Sequence, residues 1–307
     1  ASQKILDINS EREKINIIKS NPEEEKQATK EIEKNLKLVD IVLELVDARI
    51  PLSSRNPELK KMLKKKPSLI LLTKSTLADP KDNQRWLNIL KSENENVLLV
   101  DAITNYNVNN IEKEARRILA DKIKKDEAKG IKRNTIRMMI VGIPNVGKST
   151  LINSLVKRKA QEAYNMPGVT KEVKWIRINE NLDLLDTPGV LWPKFDDQEV
   201  AKKLALTRAI KDSIYQEQEL SVYLLEFLKE YYPDLLKERY DVSLELCNYE
   251  ILKEIALKRG FFKADDIDYD KAAVAVLADF RNMRIGRITL DKWQTNMMKS
   301  FIKKAIK

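Results

Sequence analysis

One octapeptide constrains this chain more than any other stretch. Gly142-Ile143-Pro144-Asn145-Val146-Gly147-Lys148-Ser149 fits the spacing G-x-x-x-x-G-K-[ST]. An apolar run, Ile136–Val141, precedes it, and a helical pattern, Ser149–Lys157, follows. A strand that turns through a glycine loop into a helix is the context in which this spacing grips phosphate. The glycines let the backbone curl so that successive amides converge on phosphate oxygens, and the positive end of the helix adds to the attraction. Lys148 is expected to reach the β- and γ-phosphates, and the Ser149 hydroxyl to ligate Mg²⁺. The stretch from Gly142 to Thr150, Val146 and Gly147 included, is therefore expected to bind a nucleoside triphosphate with Mg²⁺.

Two further elements follow in an order that extends this reading. Residues 182–189, LDLLDTPG, form an apolar strand ending in Asp-x-x-Gly. Asp186 is expected to hold the Mg²⁺ shell, and the Gly189 amide to meet the γ-phosphate. Between the two lies Pro167-Gly168-Val169-Thr170, where Thr170 is expected to complete the metal shell when the γ-phosphate is present. Val190 follows Gly189; its apolar side chain cannot orient an attacking water, so hydrolysis would rely on other groups.

The rest of the pattern sets the fold class. Short apolar runs at Ile41–Val46, Leu69–Leu72, Val97–Val100, Ile136–Val141, Val173–Ile178 and Leu182–Leu185 read as strands, with helical stretches at Asn83–Ser92 and Asn109–Lys125 between them. Alternation of this kind predicts an α/β fold with a mostly parallel six-stranded sheet covered on both faces. Residues 8–39 read as a helical extension. After Trp192-Pro193 the pattern turns helical, at Leu220–Tyr231, Tyr249–Lys258 and Asp270–Arg281. The expected division is thus 1–196 and 197–307, as the 307-residue length also suggests.

Composition excludes several chemistries. There is no histidine, so no mechanism needing an imidazole from this chain is open to it. The single cysteine, Cys247, cannot form an internal disulfide and is expected to be a small buried thiol. No apolar run approaches a membrane span, and the first residues, ASQKILDINSEREK, lack an apolar leader, so a cytoplasmic setting without membrane contact is expected. A net charge of +10 favours polyanionic partners, nucleic acid above all.

The chain resembles the circularly permuted GTPases of ribosome assembly, most closely the YlqF/RbgA type. The matching stretches are LVDARIPLSSRNP at 45–57, GIPNVGKSTLIN at 142–153, LLDTPGVLWPKF at 184–195 and AIKDSI at 209–214. LLKERY at 235–240 and YDK at 269–271 match as well. The likeness runs from about residue 22 to about residue 290. It implies a permuted P-loop GTPase domain, in which the base-recognition loops precede the phosphate loop, followed by a small all-α domain that contacts ribosomal RNA. It also implies GTP and GDP as ligands, with Lys148, Thr170 and Gly189 serving hydrolysis. The expected partner is the large ribosomal subunit precursor, met by a monomer.

The resemblance places the guanine motif at Thr73-Lys74-Ser75-Thr76, where the family carries Asn-Lys-x-Asp. Both Asn and Asp are replaced by Thr, and Asp79 lies three residues too late to substitute simply. Losing charged bidentate bonds to guanine should cost roughly 2–3 kcal/mol of selectivity. The second base-contacting loop is expected at 101–107, DAITNYN, with Asp101 and Ala102 beside the base and Asn105 and Asn107 at family glycine positions. Asn tolerates positive φ better than most residues, so the turn can persist. Glu24 stands where the family carries a His linked to hydrolysis. Asn145 matches the position that ligates K⁺ in potassium-activated relatives. Lys202, Lys203, Arg281, Arg284, Arg287, Lys299, Lys303 and Lys304 are spaced as basic faces, with Trp293 and Phe301 nearby. Two functions therefore compete: a GTPase switch of large-subunit assembly, and a catalytically weak nucleotide- and rRNA-binding scaffold with relaxed guanine specificity, as a redesigned family member would be.

Overall fold

The strand IVLELVD, β1 (Ile41–Asp47), is buried along its whole length, so both faces of the sheet are covered at its centre. The structure, a computed structural model, describes residues 22–64, 66–131, 135–157, 163–164, 175–185, 197–210, 215–264 and 266–293. Parallel strands flank β1: β2 (Ser68–Thr73) on one side and β4 (Ile136–Gly142) on the other. β3 (Val97–Leu99) extends the sheet beyond β2, and β7 (Leu182–Leu185) extends it beyond β4, both parallel. Two antiparallel strands complete the far edge, β6 (Trp175–Asn179) and β5 (Ala163–Tyr164), giving the order β3-β2-β1-β4-β7-β6-β5. The six expected strands are present. The seventh, β5, is two residues long, too short to leave an apolar period in the sequence.

The three strands that precede the phosphate loop in the chain lie on one side of β4, and the later ones lie on the other. That arrangement is what the permuted order requires. On one face Val42, Val46, Ile70, Leu72 and Met139 pack under α1 (Pro22–Leu36), α2 (Pro57–Leu63) and α3 (Pro80–Ser92), through Ile32, Leu59, Leu63, Trp86 and Leu90. Period-2 alternation sends Leu43, Leu45, Leu69, Leu71 and Ile140, all buried, to the other face. There α4 (Asn110–Ile118) packs on β2 and α6 (Lys148–Lys157) on β4, with α5 (Ala120–Ala128) continuing from α4.

Caps fix where the covering helices start. Asn56 accepts the Glu58 amide at 2.8 Å ahead of Pro57, and Asp79 accepts the Lys81 amide at 2.8 Å ahead of Pro80. In each case Pro occupies the first turn, where its missing N–H is harmless.

The chain divides into two compact units. Among the described residues, the second holds 197–290: α7 (Gln198–Leu206), α8 (Glu217–Tyr231), α9 (Pro233–Tyr240), α10 (Asn248–Lys258), a two-residue hairpin of β8 (Phe262–Lys263) and β9 (Asp266–Ile267), and α11 (Tyr269–Arg281). Leu224, Leu228, Ile251, Ile255, Val276 and Leu277 form its interior. Cys247 is exposed at the start of α10, not buried as expected; its amide donates to Glu250 Oε2 at 2.8 Å. Asp291–Trp293 belong to the sheet unit, although the sequence pattern alone assigns them to the helical one. No helix among the described residues is long and apolar enough to cross a membrane.

Candidate nucleotide-binding site

The phosphate loop leaves β4 at Gly142 and enters α6 at Lys148. A Cβ at Gly142 would lie 2.8 Å from the Leu45 carbonyl oxygen on β1, so the neighbouring strand excludes any side chain there. Asn145 and Gly147 hold the curl with φ of 56° and 106°. Val146 is buried and pins the loop, while Ser149 and Thr150 are exposed in the first turn of α6. This cradle fits a polyphosphate: its curl of positive-φ backbone leads directly into the N-terminal turn of α6, where amides and the helix dipole favour an anion. An exposed Ser149 hydroxyl beside bound phosphate is the hard oxygen donor that Mg²⁺ takes. Thr170, Asp186 and Gly189 lie outside the described residues, as do Val190, Lys299, Phe301, Lys303 and Lys304. Glu24 lies in α1.

The turn after β2 is bonded to this loop. Thr73, at the family's Asn position, donates its hydroxyl to the Val146 carbonyl at 2.7 Å, with the Val46 carbonyl 3.1 Å away. The tie expected of an Asn is therefore made by a Thr, because the tie needs only one donor. Lys74 adopts φ 53° and its ammonium bridges the Asn145 carbonyl at 2.7 Å and Asp47 Oδ2 at 3.0 Å. Asp47 is buried, and Arg49 grips it through Nε at 3.0 Å and Nη2 at 2.7 Å. Burial alone would raise the Asp47 carboxyl, but the adjacent Arg49 and Lys74 charges hold it well below the usual carboxylate range. Sequence reasoning missed Asp47 and Arg49 as supports of Lys74. Their signal was the LVDAR stretch, quoted there only for its likeness.

Ser75 is buried, and its amide donates to the Val100 carbonyl at 3.2 Å. Thr76, at the family's Asp position, donates its hydroxyl to Asp101 Oδ2. The other Asp101 oxygen accepts the amides of Ile103 at 2.9 Å and Thr104 at 3.2 Å. Ala102 is half-buried beside them. Asn105 and Asn107 take φ of 60° and 57°, so both stand in for glycine as expected, and Asn105 Oδ1 accepts the Ser154 hydroxyl of α6 at 2.7 Å. The structure thus brings Thr73, Lys74, Ser75, Thr76, Asp101 and Ala102 to the strand ends beside Asn145–Thr150. Asp79 is committed to capping α3.

In the helical unit some expected basic positions are internal. Arg281 donates to the Leu206 and Ala205 carbonyls at 3.1 Å each, and Lys203 is buried. Lys202 lies 3.5 Å from Glu219. Arg284 is exposed and shares the buried Asp279 with Arg239 and Arg259. Three guanidinium groups thus converge on one buried carboxylate.

A protein-family model described as "50S ribosome-binding GTPase" matches residues 137–253. The ribosome biogenesis GTPase A of Bacillus pumilus is 41% identical over 268 residues, spanning 87% of this chain and 95% of that protein. Its namesake in Priestia megaterium is 44% identical over 268 residues, with 86% and 93% covered. GNP-bound YlqF from T. maritima shares the fold at a TM-score of 0.56 and 24% identity, over 87% of this chain and 98% of that one.

Proposed function

This chain belongs to the ribosome biogenesis GTPase A family, and we propose that it is a GTPase acting in assembly of the large ribosomal subunit. The observation that carries this reading is the bonding of the phosphate loop to the turn after β2, through Thr73 to Val146 and Lys74 to Asn145. A loop fixed to the base-side turn holds phosphates and purine at one set distance, which is what orientation of a nucleotide requires.

The backbone amides of 145–150 and the Lys148 ammonium would bind the β- and γ-phosphates and neutralise charge as the terminal phosphoryl group departs. Ser149, Thr170 and Asp186 would hold Mg²⁺, which when bound neutralises the phosphate oxygens and fixes their geometry. Asn145 would hold K⁺ beside them, and the Gly189 amide would meet the γ-phosphate. With Val190 after Gly189 and no histidine in the chain, water positioning falls to groups supplied by the ribosomal particle. The helical unit would contact rRNA phosphates through Arg239, Arg259 and Arg284, so docking should weaken steeply with salt. The protein would act as a cytoplasmic monomer.

The test is calorimetric titration with Mg²⁺-GTP and Mg²⁺-GDP, then phosphate release with and without K⁺ and large subunits. Tight binding lost in Lys148→Ala, with turnover raised by K⁺ and subunits, is expected. Undiminished uptake by Lys148→Ala would overturn the phosphate-loop assignment. Turnover indifferent to subunits would overturn the assembly role.

A further inference from the structure

We infer, resting on the nucleotide site proposed above, that Asp291 is a positioning residue for phosphate binding: through the loop after β1 it sets the grip of Asp47 on Lys74. The Lys74 ammonium is a strut beneath the phosphate loop, since it bridges the Asn145 carbonyl at 2.7 Å and Asp47 Oδ2 at 3.0 Å. Its place depends on the loop 48–56 and on the first turn of α3, and residues 291–293 are bonded to both elements. Asp291 is also the first residue after the helical unit, which ends at Leu290. The chain leaving one unit is thereby tied to the strength with which the other holds phosphate.

The loop arm is continuous. The Asp47 amide donates to Ser54 Oγ at 3.0 Å, that hydroxyl donates to the Ile50 carbonyl at 2.7 Å, and the Ile50 amide returns to the Asp47 carbonyl at 2.9 Å. Residues 47–54 therefore form one closed turn, and a displacement of 52–54 is passed to Asp47. Leu52 and Ser53 are the residues whose amides Asp291 Oδ2 accepts, at 2.8 and 2.7 Å, while Oδ1 accepts the Ser53 hydroxyl at 2.8 Å. The helix arm reaches the same lysine from the other side. On α3 the Trp86 indole donates to the Asp291 carbonyl at 2.9 Å, and Asp82 meets Lys292 at 2.5 Å. Between them Asn83 donates its side-chain amide to the carbonyl of Ser75, the residue after Lys74, at 2.8 Å. Without the Asp291 carboxylate, the Leu52 and Ser53 amides must find water, and the turn that carries them must open to admit it. Asp47 then shifts from beneath Lys74, and the Asn145 carbonyl loses its fixed donor. Binding a nucleotide must reorder the loop, and that ordering cost lowers affinity.

The experiment is calorimetry of the full chain with Mg²⁺-GDP, on the wild type, on Asp291→Ala, Asp291→Asn and Lys74→Met, and on the variant carrying both Asp291→Ala and Lys74→Met, with melting curves for each. Asp291→Ala should weaken binding by about 2- to 30-fold, the range of coupling that such networks carry. Asp291→Asn, whose side-chain oxygen still accepts the two amides, should recover much of the loss. In the Lys74→Met background Asp291→Ala should change affinity no further, because the strut it acts through is gone. Ile111→Ala, a cavity at a buried α4 position away from these bonds, should lower the melting temperature and leave affinity where it was. Additive losses in the double variant, or an equal loss in Ile111→Ala, overturn the inference, since Asp291 would then act only on overall stability. Unchanged affinity in Asp291→Ala overturns it as well and leaves the phosphate site standing, whereas a wild type that binds no nucleotide overturns both. Should Asp291→Ala melt below the assay temperature, hydrogen exchange of the wild type decides. Coupling is reciprocal, so Mg²⁺-GDP should slow the Leu52 and Ser53 amides by a larger factor than the α4 amides. Equal slowing overturns the inference.

Discussion

Two buried charge clusters on β1 put ionised groups in the middle of an apolar sheet. Glu44 sits on the face with Val46 and Ile70, where Arg55 meets it bidentately, Nε to Oε1 at 3.0 Å and Nη2 to Oε2 at 2.9 Å. Burial opposes the Arg55 charge, but Glu44, with Glu95 and Glu93 farther off, raises its pKa above the ordinary value. Such a pair adds little net stability, yet removing one partner strands the other in low dielectric. Arg55→Ala should therefore cost about 3–5 kcal/mol, read from the urea midpoint, whereas replacing both residues by Leu and Met should cost far less. Asp47 makes a pH prediction. Its folded pKa is depressed by Arg49 and Lys74, so its contribution is complete above the unfolded carboxyl value of about 4 and is lost as pH falls below that. The stability gap between wild type and Asp47→Asn should be constant from neutral pH down to about pH 5 and should narrow on further acidification. A gap that widened instead would show that the carboxylate is not held by the two cations.

Asp79 separates a capping role from a binding one. It follows the guanine turn and is acidic, but its side chain starts α3. Asp79→Ala should lower stability by about 1 kcal/mol and leave the GDP-to-ADP affinity ratio where it was; a shifted ratio would place Asp79 in the base pocket after all. The central strands were legible because a parallel sheet buries both faces and writes continuous apolar runs, as in ILLT before Lys74. The phosphate loop was legible because its geometry demands particular residues at particular spacings. Helix α2 was not read, since PELKKML buries only Leu59 and Leu63 and one pair sets no period. Its start signal, Asn56-Pro57, was present. Thr73 was read as a loss because its partner, the Val146 carbonyl, stands 73 positions away, and no local pattern announces a side-chain to backbone bond over that distance.

The largest departure from the sequence reading concerns which unit owns the segment after the last helix. Asp291 is buried and accepts three bonds from the loop that follows β1: the Leu52 amide at 2.8 Å, the Ser53 amide at 2.7 Å and the Ser53 hydroxyl at 2.8 Å. Its carbonyl accepts the Trp86 indole N–H at 2.9 Å, Lys292 reaches the buried Asp82 at 2.5 Å, and the Trp293 ring meets Trp86 edge-on with centroids 6.2 Å apart. Three residues thus close the sheet unit across more than 200 positions of intervening chain, and Asp291 satisfies two amides of the loop after β1. The helical unit is in topological terms an insertion into the sheet unit. Hydrogen bonds to a charged group contribute about 1.5–3 kcal/mol each, and leaving the amides unpaired adds their desolvation cost. Asp291→Ala should accordingly destabilise the sheet unit by about 3–5 kcal/mol, with Asp291→Asn, which keeps an acceptor, costing about half as much. Hydrogen exchange resolves the two units: protection should fall in β1, β2 and the 48–56 loop, while α8 and α11 keep theirs. Equal loss in α8 and α11 would mean that the two units unfold together and that Asp291 is not a clasp on the sheet alone.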